Sequence, residues 1–240
     1  MKKVSKKGFT LVELLVVIGI LGILMGALFP VISSAMLNAN LSTMSMQGRK
    51  LIQGMLQANI EREGKLEPVW PSDKANSDNQ DDDVASRSYS STTDYFKELF
   101  NMEKYGGTEW DPTVDGELIG TLSGCGVPGI SNGKLTEDNV AWVMAKNIDT
   151  NTPDWLPILI TRNVDYSQLS PFLTKVQQTD TAPVTLGKKD APFGNKGLVL
   201  VRKSAAAESF KKKYARVNLI FNNQANDDSG KEKKVEFMGY

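Results

Sequence analysis

Few residues in this chain have the chemistry that catalysis needs. The 240 residues include no histidine, which excludes Ser-His-Asp and Cys-His nucleophiles and every zinc site with a histidine ligand. The single cysteine, Cys125, cannot form a disulfide within the chain and cannot build a metal site alone. Aspartate and glutamate are numerous but scattered, and their spacing indicates no acid–base pair. We therefore expect no enzyme.

Two short motifs match catalytic or cofactor patterns without the context that those patterns require. Residues 124–129 (GCGVPG) fit the G-x-G-x-x-G dinucleotide pattern, but Pro128 and the polar stretch after it do not begin a helix. Ser209 and Lys212 fit S-x-x-K, but the K-T-G element that accompanies that motif is missing. We interpret the first motif as a glycine-rich loop and the second as the surface of a helix.

An acidic run at residues 78–83 (DNQDDD) is a candidate calcium site. Its carboxylates are those of Asp78, Asp81, Asp82 and Asp83. Calcium prefers oxygen ligands, but the EF-hand loop also needs a glycine at its sixth position and a later glutamate, and both are absent. We interpret the run as a solvated acidic loop, with calcium binding as the alternative. We expect no other cofactor.

One carboxylate, Glu13, lies inside a long apolar run near the start of the chain. It is the only charge in the 24 positions from Phe9 to Ile32. As a helix this run would span about 36 Å, enough to cross a hydrocarbon core of about 30 Å. Four lysines precede it, which predicts that the short N-terminal side stays in the cytoplasm and the rest of the chain lies outside.

Two ordinary interpretations of this segment fail on its details. A secretory signal peptide has an apolar stretch of about 7–15 residues before a small-residue cleavage site, and this run is longer and contains an acid. A plain membrane anchor explains the length and the lysines. It leaves Glu13 unexplained, because a carboxylate at the centre of a membrane helix costs about 2.5–3.5 kcal/mol.

The residues around the acid carry a more specific pattern. Gly8-Phe9-Thr10-Leu11-Val12-Glu13, after a lysine-rich leader, resembles the processing signature of type IV pilins and type II secretion pseudopilins. The resemblance covers about residues 1–40. It implies that a prepilin peptidase cuts between Gly8 and Phe9 on the cytoplasmic side and then N-methylates Phe9. It also implies an α+β fold, with the long N-terminal helix packed on a small antiparallel sheet.

The resemblance also implies a role for Glu13. After the cut, Phe9 carries a positive amine, and a buried charge without a partner is costly. In the family, the carboxylate at this position is thought to pair with the amine of a neighbouring subunit, so that it sets the position of each subunit during assembly. Phe9 and Glu13 are also four residues apart on one helix, so pairing within one chain is geometrically open.

Small residues and a proline suggest how the apolar helix packs. Gly19, Gly22 and Gly26 lie three and four apart on one face, and such small residues let membrane helices approach closely. The alternative is that glycine is simply common in membrane helices. Pro30 lacks an amide donor and clashes with the preceding turn, which predicts a kink or a locally melted segment.

Apolar periodicity predicts the remaining elements. One helix runs from about Phe9 to about Gly64, and from Ser33 onward its apolar positions recur at three-to-four spacing. Those positions are Leu37, Leu41, Met44, Leu51, Met55 and Leu56, with Gly48 on the same line. Further helices are predicted at Asp94–Tyr105 and at residues 204–214, the latter capped by Ser204. Strands are predicted at Val140–Ala145, Leu156–Thr161, Gly197–Arg202 and Val217–Phe221, with Pro157 indicating an edge strand or a start at Ile158.

These observations predict a domain order and a function. The leader is residues 1–8, the membrane-spanning half of the helix 9–32, the amphipathic half 33–64, and an extracytoplasmic α+β head 65–240. We predict a structural subunit of a pilus or pseudopilus in the inner membrane, with pilin subunits, prepilin peptidase and an assembly platform as partners. The alternative is a membrane-tethered binding or enzymatic module that uses the helix only as an anchor.

The charge balance gives no reason to expect a nucleic-acid partner. Lysine and arginine total 28, as do aspartate and glutamate, but four of the lysines precede Gly8. Without them the chain carries 24 basic residues against 28 acidic residues, a net charge of −4. A mildly acidic protein gains no electrostatic attraction to phosphate backbones.

Overall fold

The computed structural model describes residues 8–63, 69–72, 89–100, 116–130, 135–169, 172–173, 182–187, 191–220 and 234–239. By proximity of their Cα atoms, residues divide into two units, Met1–Asn40 and Leu41–Tyr240. We call the second the folded unit. The predicted limits of the leader, the membrane-spanning half and the head stay predictions.

The longest element is helix α1, Leu11–Glu63, of 53 residues. The prediction of one long helix is confirmed. Helical backbone continues through Pro30, so the locally melted segment predicted there is not present, and the kink stays a prediction. We call residues 11–40 the apolar segment of α1 and residues 41–63 its packed segment.

The packed segment of α1 buries its apolar stripe within the folded unit. Leu41, Met44, Leu51, Ile52 and Met55 are each less than 5% exposed. These side chains recur every three to four residues and so line one helical face, as an amphipathic helix requires. The predicted stripe is therefore confirmed in this segment. Because the helix alone would expose this stripe to water, its burial is what holds the segment on the rest of the unit.

A four-stranded antiparallel sheet forms the centre of the described part of the folded unit. Its strands are β1 (Trp142–Met144), β2 (Pro157–Thr161), β4 (Gly197–Arg202) and β5 (Ala207–Lys211), in the order β1-β2-β4-β5. β3 (Phe172–Leu173) and β6 (Lys234–Val235) pair separately. Every residue of β1, β2 and β4 is buried. A long helix with a small antiparallel sheet is the predicted α+β, pilin-like arrangement.

In the part of the folded unit that the structure describes, three short α-helices accompany the sheet. α2 is Thr92–Leu99, α3 is Gly116–Gly120 and α4 is Val217–Ile220. α2 confirms the helix predicted from Asp94, and residues 101–105 of that prediction lie outside the described residues. Ser91 caps α2 by accepting a hydrogen bond from the amide of Asp94, and Tyr95 and Phe96 are buried beneath it.

The prediction for Pro157 is wrong on both alternatives. β2 begins at Pro157 and is a central strand, flanked by β1 and β4. A proline has no amide to donate, so it is tolerated where a ladder is interrupted. Here the pairing with β4 shifts between Pro157 and Leu159, and this irregularity removes the need for the missing donor.

The helix predicted at residues 204–214 and the strand predicted at Val217–Phe221 are also wrong. Residues 207–211 form strand β5, and Val217–Ile220 form α4. Ser204 caps no helix. Its amide donates to the carbonyl of Asp154, which lies far back along the chain. The next residue, Ala205, adopts a positive φ of 63° in the turn between β4 and β5. The hairpin pairs β5 with β4 over five positions, and this pairing with the preceding strand overrides the helix preference of the alanine run.

Candidate processing and assembly site

The residues before α1 form a short non-helical segment. Gly8, Phe9 and Thr10 have no helical assignment and are exposed, and Phe9 is 75% exposed. The helix begins at Leu11, one residue after Thr10. The bond between Gly8 and Phe9 therefore lies in accessible, irregular backbone, the kind of segment that proteases cleave most readily.

Thr10 and Glu13 form a reciprocal cap at the start of α1. The amide of Thr10 donates to Glu13 Oε2 at 2.8 Å, and the hydroxyl of Thr10 donates to the same oxygen at 2.7 Å. In return, the amide of Glu13 donates to Thr10 Oγ1 at 3.3 Å. This is a capping box, in which the threonine at the N-cap and the glutamate three residues later satisfy amides that a helix start leaves unpaired.

The capping box gives Glu13 a contact within its own chain. The family resemblance implies an assembly role for Glu13 and none for Thr10, although the T-x-x-E spacing before an apolar run is a readable signal of helix initiation. Both donors from Thr10 reach Oε2, and within the described residues no hydrogen bond reaches Glu13 Oε1. One carboxylate oxygen therefore stays available to a further donor.

The apolar segment of α1 exposes its side chains over its whole circumference. Ile23 is 76% exposed, Phe29 65% and Val31 64%. Together these side chains form a contiguous apolar surface larger than soluble monomers usually expose. By length and composition α1 qualifies as one membrane-crossing helix near the N-terminus. A bilayer would cover this surface without any tertiary contact, because the helix satisfies its own backbone hydrogen bonds.

The glycines of the apolar segment have no neighbours inside the described chain. A Cβ added at Gly19, Gly22 or Gly26 would meet nothing within 4 Å. Their small size is thus not required by packing within these residues. A role in helix–helix packing, together with the bend predicted at Pro30, stays a prediction.

The glycine-rich loop at residues 124–129 is a tight turn. Gly124, Cys125 and Gly126 have φ values of 136°, 50° and 94°, and Gly124 and Val127 exchange backbone hydrogen bonds. This geometry is not the strand–turn–helix of a dinucleotide site. Burial raises the pKa of the half-buried Cys125 thiol. A reactive thiol needs the opposite shift.

The other candidates fall into two groups. Ser209 lies on strand β5 and Lys212 in the 3-10 helix that follows, so the helix surface predicted for S-x-x-K is wrong. Asp78, Asp81, Asp82 and Asp83 lie outside the described residues. Among the residues that are described, no group of three or more histidine, cysteine, aspartate or glutamate side chains comes together.

Comparison with known proteins identifies the N-terminal segment. Residues 3–29 match the family model described as the prokaryotic N-terminal methylation motif. Neither a curated protein nor a solved structure matches the chain. The matched residues include the Gly8–Phe9 bond, the capping box and the first part of α1. The chain therefore carries the N-terminal methylation motif that is the signature of type IV pilins and pseudopilins, and with its apolar helix it fits a precursor of that type.

Proposed function

We propose that this protein is a structural subunit of a type IV pilus-like or pseudopilus filament. The observation that carries the proposal is the position of the Gly8–Phe9 bond. It lies in exposed, non-helical backbone directly before a capped helix, inside the matched methylation motif. A membrane peptidase needs such a bond at the membrane surface, and a filament needs the helix behind it. The proposal makes the protein structural rather than catalytic.

The proposed life cycle has three steps. The precursor inserts its apolar segment into the inner membrane, with the leader lysines inside and the folded unit outside. Prepilin peptidase cuts between Gly8 and Phe9 and methylates the new amine of Phe9. An assembly platform then stacks the subunits through their N-terminal helices, and Gly19, Gly22 and Gly26 let the helices approach closely.

Intact-mass measurement of the membrane-extracted protein tests the processing step. We expect the loss of residues 1–8 and the gain of one methyl group on Phe9. A protein that keeps its leader in a host with active prepilin peptidase contradicts the proposal. So does one cut after Ala35, in the small-residue stretch Ser33-Ser34-Ala35 that a signal peptide would use. Gly8→Val should block the cut because it adds a branched side chain next to the scissile bond. Gly120→Val is the matched control, at an exposed glycine with open space around it.

In the assembly step, the Glu13 carboxylate holds two partners at once. Oε2 keeps the Thr10 hydrogen bonds that begin the helix, and Oε1 accepts from the methylated amine of Phe9 on a neighbouring subunit or on its own chain. Charge and helix capping are thus separate properties of one side chain. They can be removed one at a time.

Two substitutions separate these properties. Glu13→Gln removes the charge but keeps an oxygen for the capping box, in which glutamine also serves. Thr10→Val removes the capping hydroxyl but keeps the charge. Breaking a buried ion pair costs about 3–5 kcal/mol, so we expect Glu13→Gln to reduce filament incorporation at least about tenfold. Thr10→Val should assemble nearly normally, because a lost cap costs only about 1 kcal/mol.

The readout is the amount of processed subunit in sheared filaments relative to the membrane pool. Glu137→Gln is the control, since Glu137 is an exposed acid of the folded unit. Normal incorporation of Glu13→Gln would refute the role of the charge. Failure of Thr10→Val together with normal incorporation of Glu13→Gln would assign Glu13 to helix capping instead.

A further inference from the structure

Four lysines cluster at one end of the central sheet. β4 begins at Gly197 and β5 ends at Lys211, and these two residues pair across the strands. The amide of Lys212 donates to the carbonyl of Lys196 at 2.9 Å, which brings the residue before β4 next to the turn after β5. We call Lys196 and Lys211–Lys213 the basic cluster. Lys196, Lys212 and Lys213 are exposed, and Lys211 is half-buried.

No carboxylate in the described residues pairs with the basic cluster. Other lysines of the folded unit do have partners: Lys97 lies 3.5 Å from Asp94, and Lys146 lies 2.6 Å from Glu236. The ammonium of Lys213 lies 4.5 Å from the ring centre of Tyr214, which is itself 52% exposed. Like charges on neighbouring residues repel unless an external anion compensates them. The cluster is thus a positive surface with an aromatic side chain at its edge.

The basic cluster lies at the end of the sheet where the packed segment of α1 begins. A Cβ on Gly197 would be 3.3 Å from Leu41 Cδ2, whereas a Cβ on Gly48 would be 2.6 Å from Val201 Cγ2. Along α1, Leu41 therefore lies beside the start of β4 and Gly48 lies beside its far end. Ile32 ends the apolar run nine residues before Leu41. Nine residues span at most about 32 Å, so the covalent connection keeps Leu41 within that distance of the apolar run.

We propose that the basic cluster binds anionic phospholipid head groups of the membrane that holds the apolar run. Each lysine near an anionic bilayer surface strengthens binding by about fivefold, and tyrosine prefers the head-group level. The contact holds the folded unit against the membrane before assembly, and a subunit must release it to enter a filament. This inference rests on the proposed membrane insertion of the apolar segment.

The test compares the full-length protein in two lipid nanodiscs, one of phosphatidylcholine and one with about a third phosphatidylglycerol. Acetylation rates of individual lysines are measured by mass spectrometry. In the anionic discs we expect the basic cluster to react at least about fivefold more slowly, while Lys97 and Lys146 keep their rates. About 0.5 M salt should restore the rates of the cluster, because it screens exposed charges within a few ångströms.

A pair of variants tests whether the lysines cooperate. In Lys212→Gln/Lys213→Gln, the remaining Lys196 and Lys211 should react equally fast in both discs. The matched control Lys97→Gln/Lys146→Gln removes the same charge elsewhere on the folded unit and should leave the protection of the cluster intact.

Each other outcome overturns the proposal in a distinct way. An inserted protein whose cluster reacts equally in both discs overturns the lipid contact alone. Protection that is the same in both lipids and grows with the number of copies per disc assigns the cluster to a second copy of the chain. A protein that stays out of both discs overturns the lipid contact and the proposed function together.

Discussion

The two segments of α1 share one continuous helical backbone, but the first exposes its apolar side chains and the second buries them. In the apolar segment Ile23 is 76% exposed, and in the packed segment Ile52 is fully buried. The first segment gains nothing from tertiary contacts in the described chain and needs a solvent of low polarity. The second is held by apolar contacts with the folded unit. Helix formation is thus common to both, but its stabilisation comes from different surroundings.

The glycines of the two segments differ in the same way in what surrounds them. Added Cβ atoms at Gly19, Gly22 and Gly26 would meet open space. At Gly48 a Cβ would come within 2.6 Å of Val201 and 2.7 Å of Trp142, both buried. Gly48 is therefore required by packing inside the folded unit. The glycines of the apolar segment are available for contacts with another chain.

The largest expected difference between the two segments comes from a leucine in each. Leu51 is fully buried, and Leu28 is 53% exposed. Leu51→Ala should lower the free energy of unfolding of the folded unit by about 2–5 kcal/mol, because it leaves a cavity. Leu28→Ala should change it by less than about 0.5 kcal/mol. Urea unfolding of the detergent-solubilised protein measures both, and equal effects would contradict the division of α1.

A smaller difference should separate two glycines. Gly48→Ala places a Cβ against Val201 and Trp142, and such overpacking costs about 1–3 kcal/mol of folding stability. The gain in helix propensity from glycine to alanine offsets about 1 kcal/mol of this cost. Gly22→Ala should not destabilise the folded unit but should reduce filament incorporation. Unfolding midpoints and the amount of subunit in sheared filaments give the two readouts. A Gly22→Ala protein that unfolds more easily than Gly48→Ala would reverse the comparison.

The smallest expected effect is a pH dependence confined to the folded unit. The hydroxyl of Ser90 donates to the carboxylate of Asp94 and lowers the pKa of that carboxyl. A lowered pKa stabilises the fold fully above the unfolded value of about 3.9, and the stabilisation is lost as the pH falls through the folded value. Because Asp94 is 47% exposed, we expect no more than about 0.5 kcal/mol.

Ser90→Ala removes the largest cause of that shift. Its unfolding midpoint should therefore fall less than that of the parent protein between pH 6 and pH 3. Ser204→Ala, at an exposed serine far along the chain, is the control and should follow the parent. An identical pH dependence in all three proteins would contradict the role of the Ser90 hydrogen bond.

Local signals were sufficient to predict α1 and most of the central sheet. The stripe at Leu41, Met44 and Leu51 has the period of a helix, and GLVLVR has the composition of a buried strand. The capping box at Thr10 and Glu13 was equally local. An assembly role is predicted from the charge of Glu13 alone, whereas the cap is predicted from its spacing to Thr10.

Strand β5 shows where local signals fail. Residues 204–214 contain three alanines, an early glutamate and three late lysines, all features of a helix. In the fold, Glu208 instead pairs with Arg202 at 2.8 Å across the hairpin, and Ala205 occupies the left-handed turn. The partner strand begins ten residues before β5, and a short window of sequence does not contain its contribution.

The sequence by itself determined the N-terminal part of this protein: the methylation motif, the helix start and an apolar run long enough for a membrane. These features depend on neighbouring residues and on a periodicity that requires no partner. Only the tertiary structure decided the fate of the alanine-rich hairpin, the central position of Pro157, the need for Gly48 and the approach of Lys196 to the three consecutive lysines 211–213. Each of these arises when residues from different segments of the chain come together. The free energy of such contacts is not determined by the residues of any single segment.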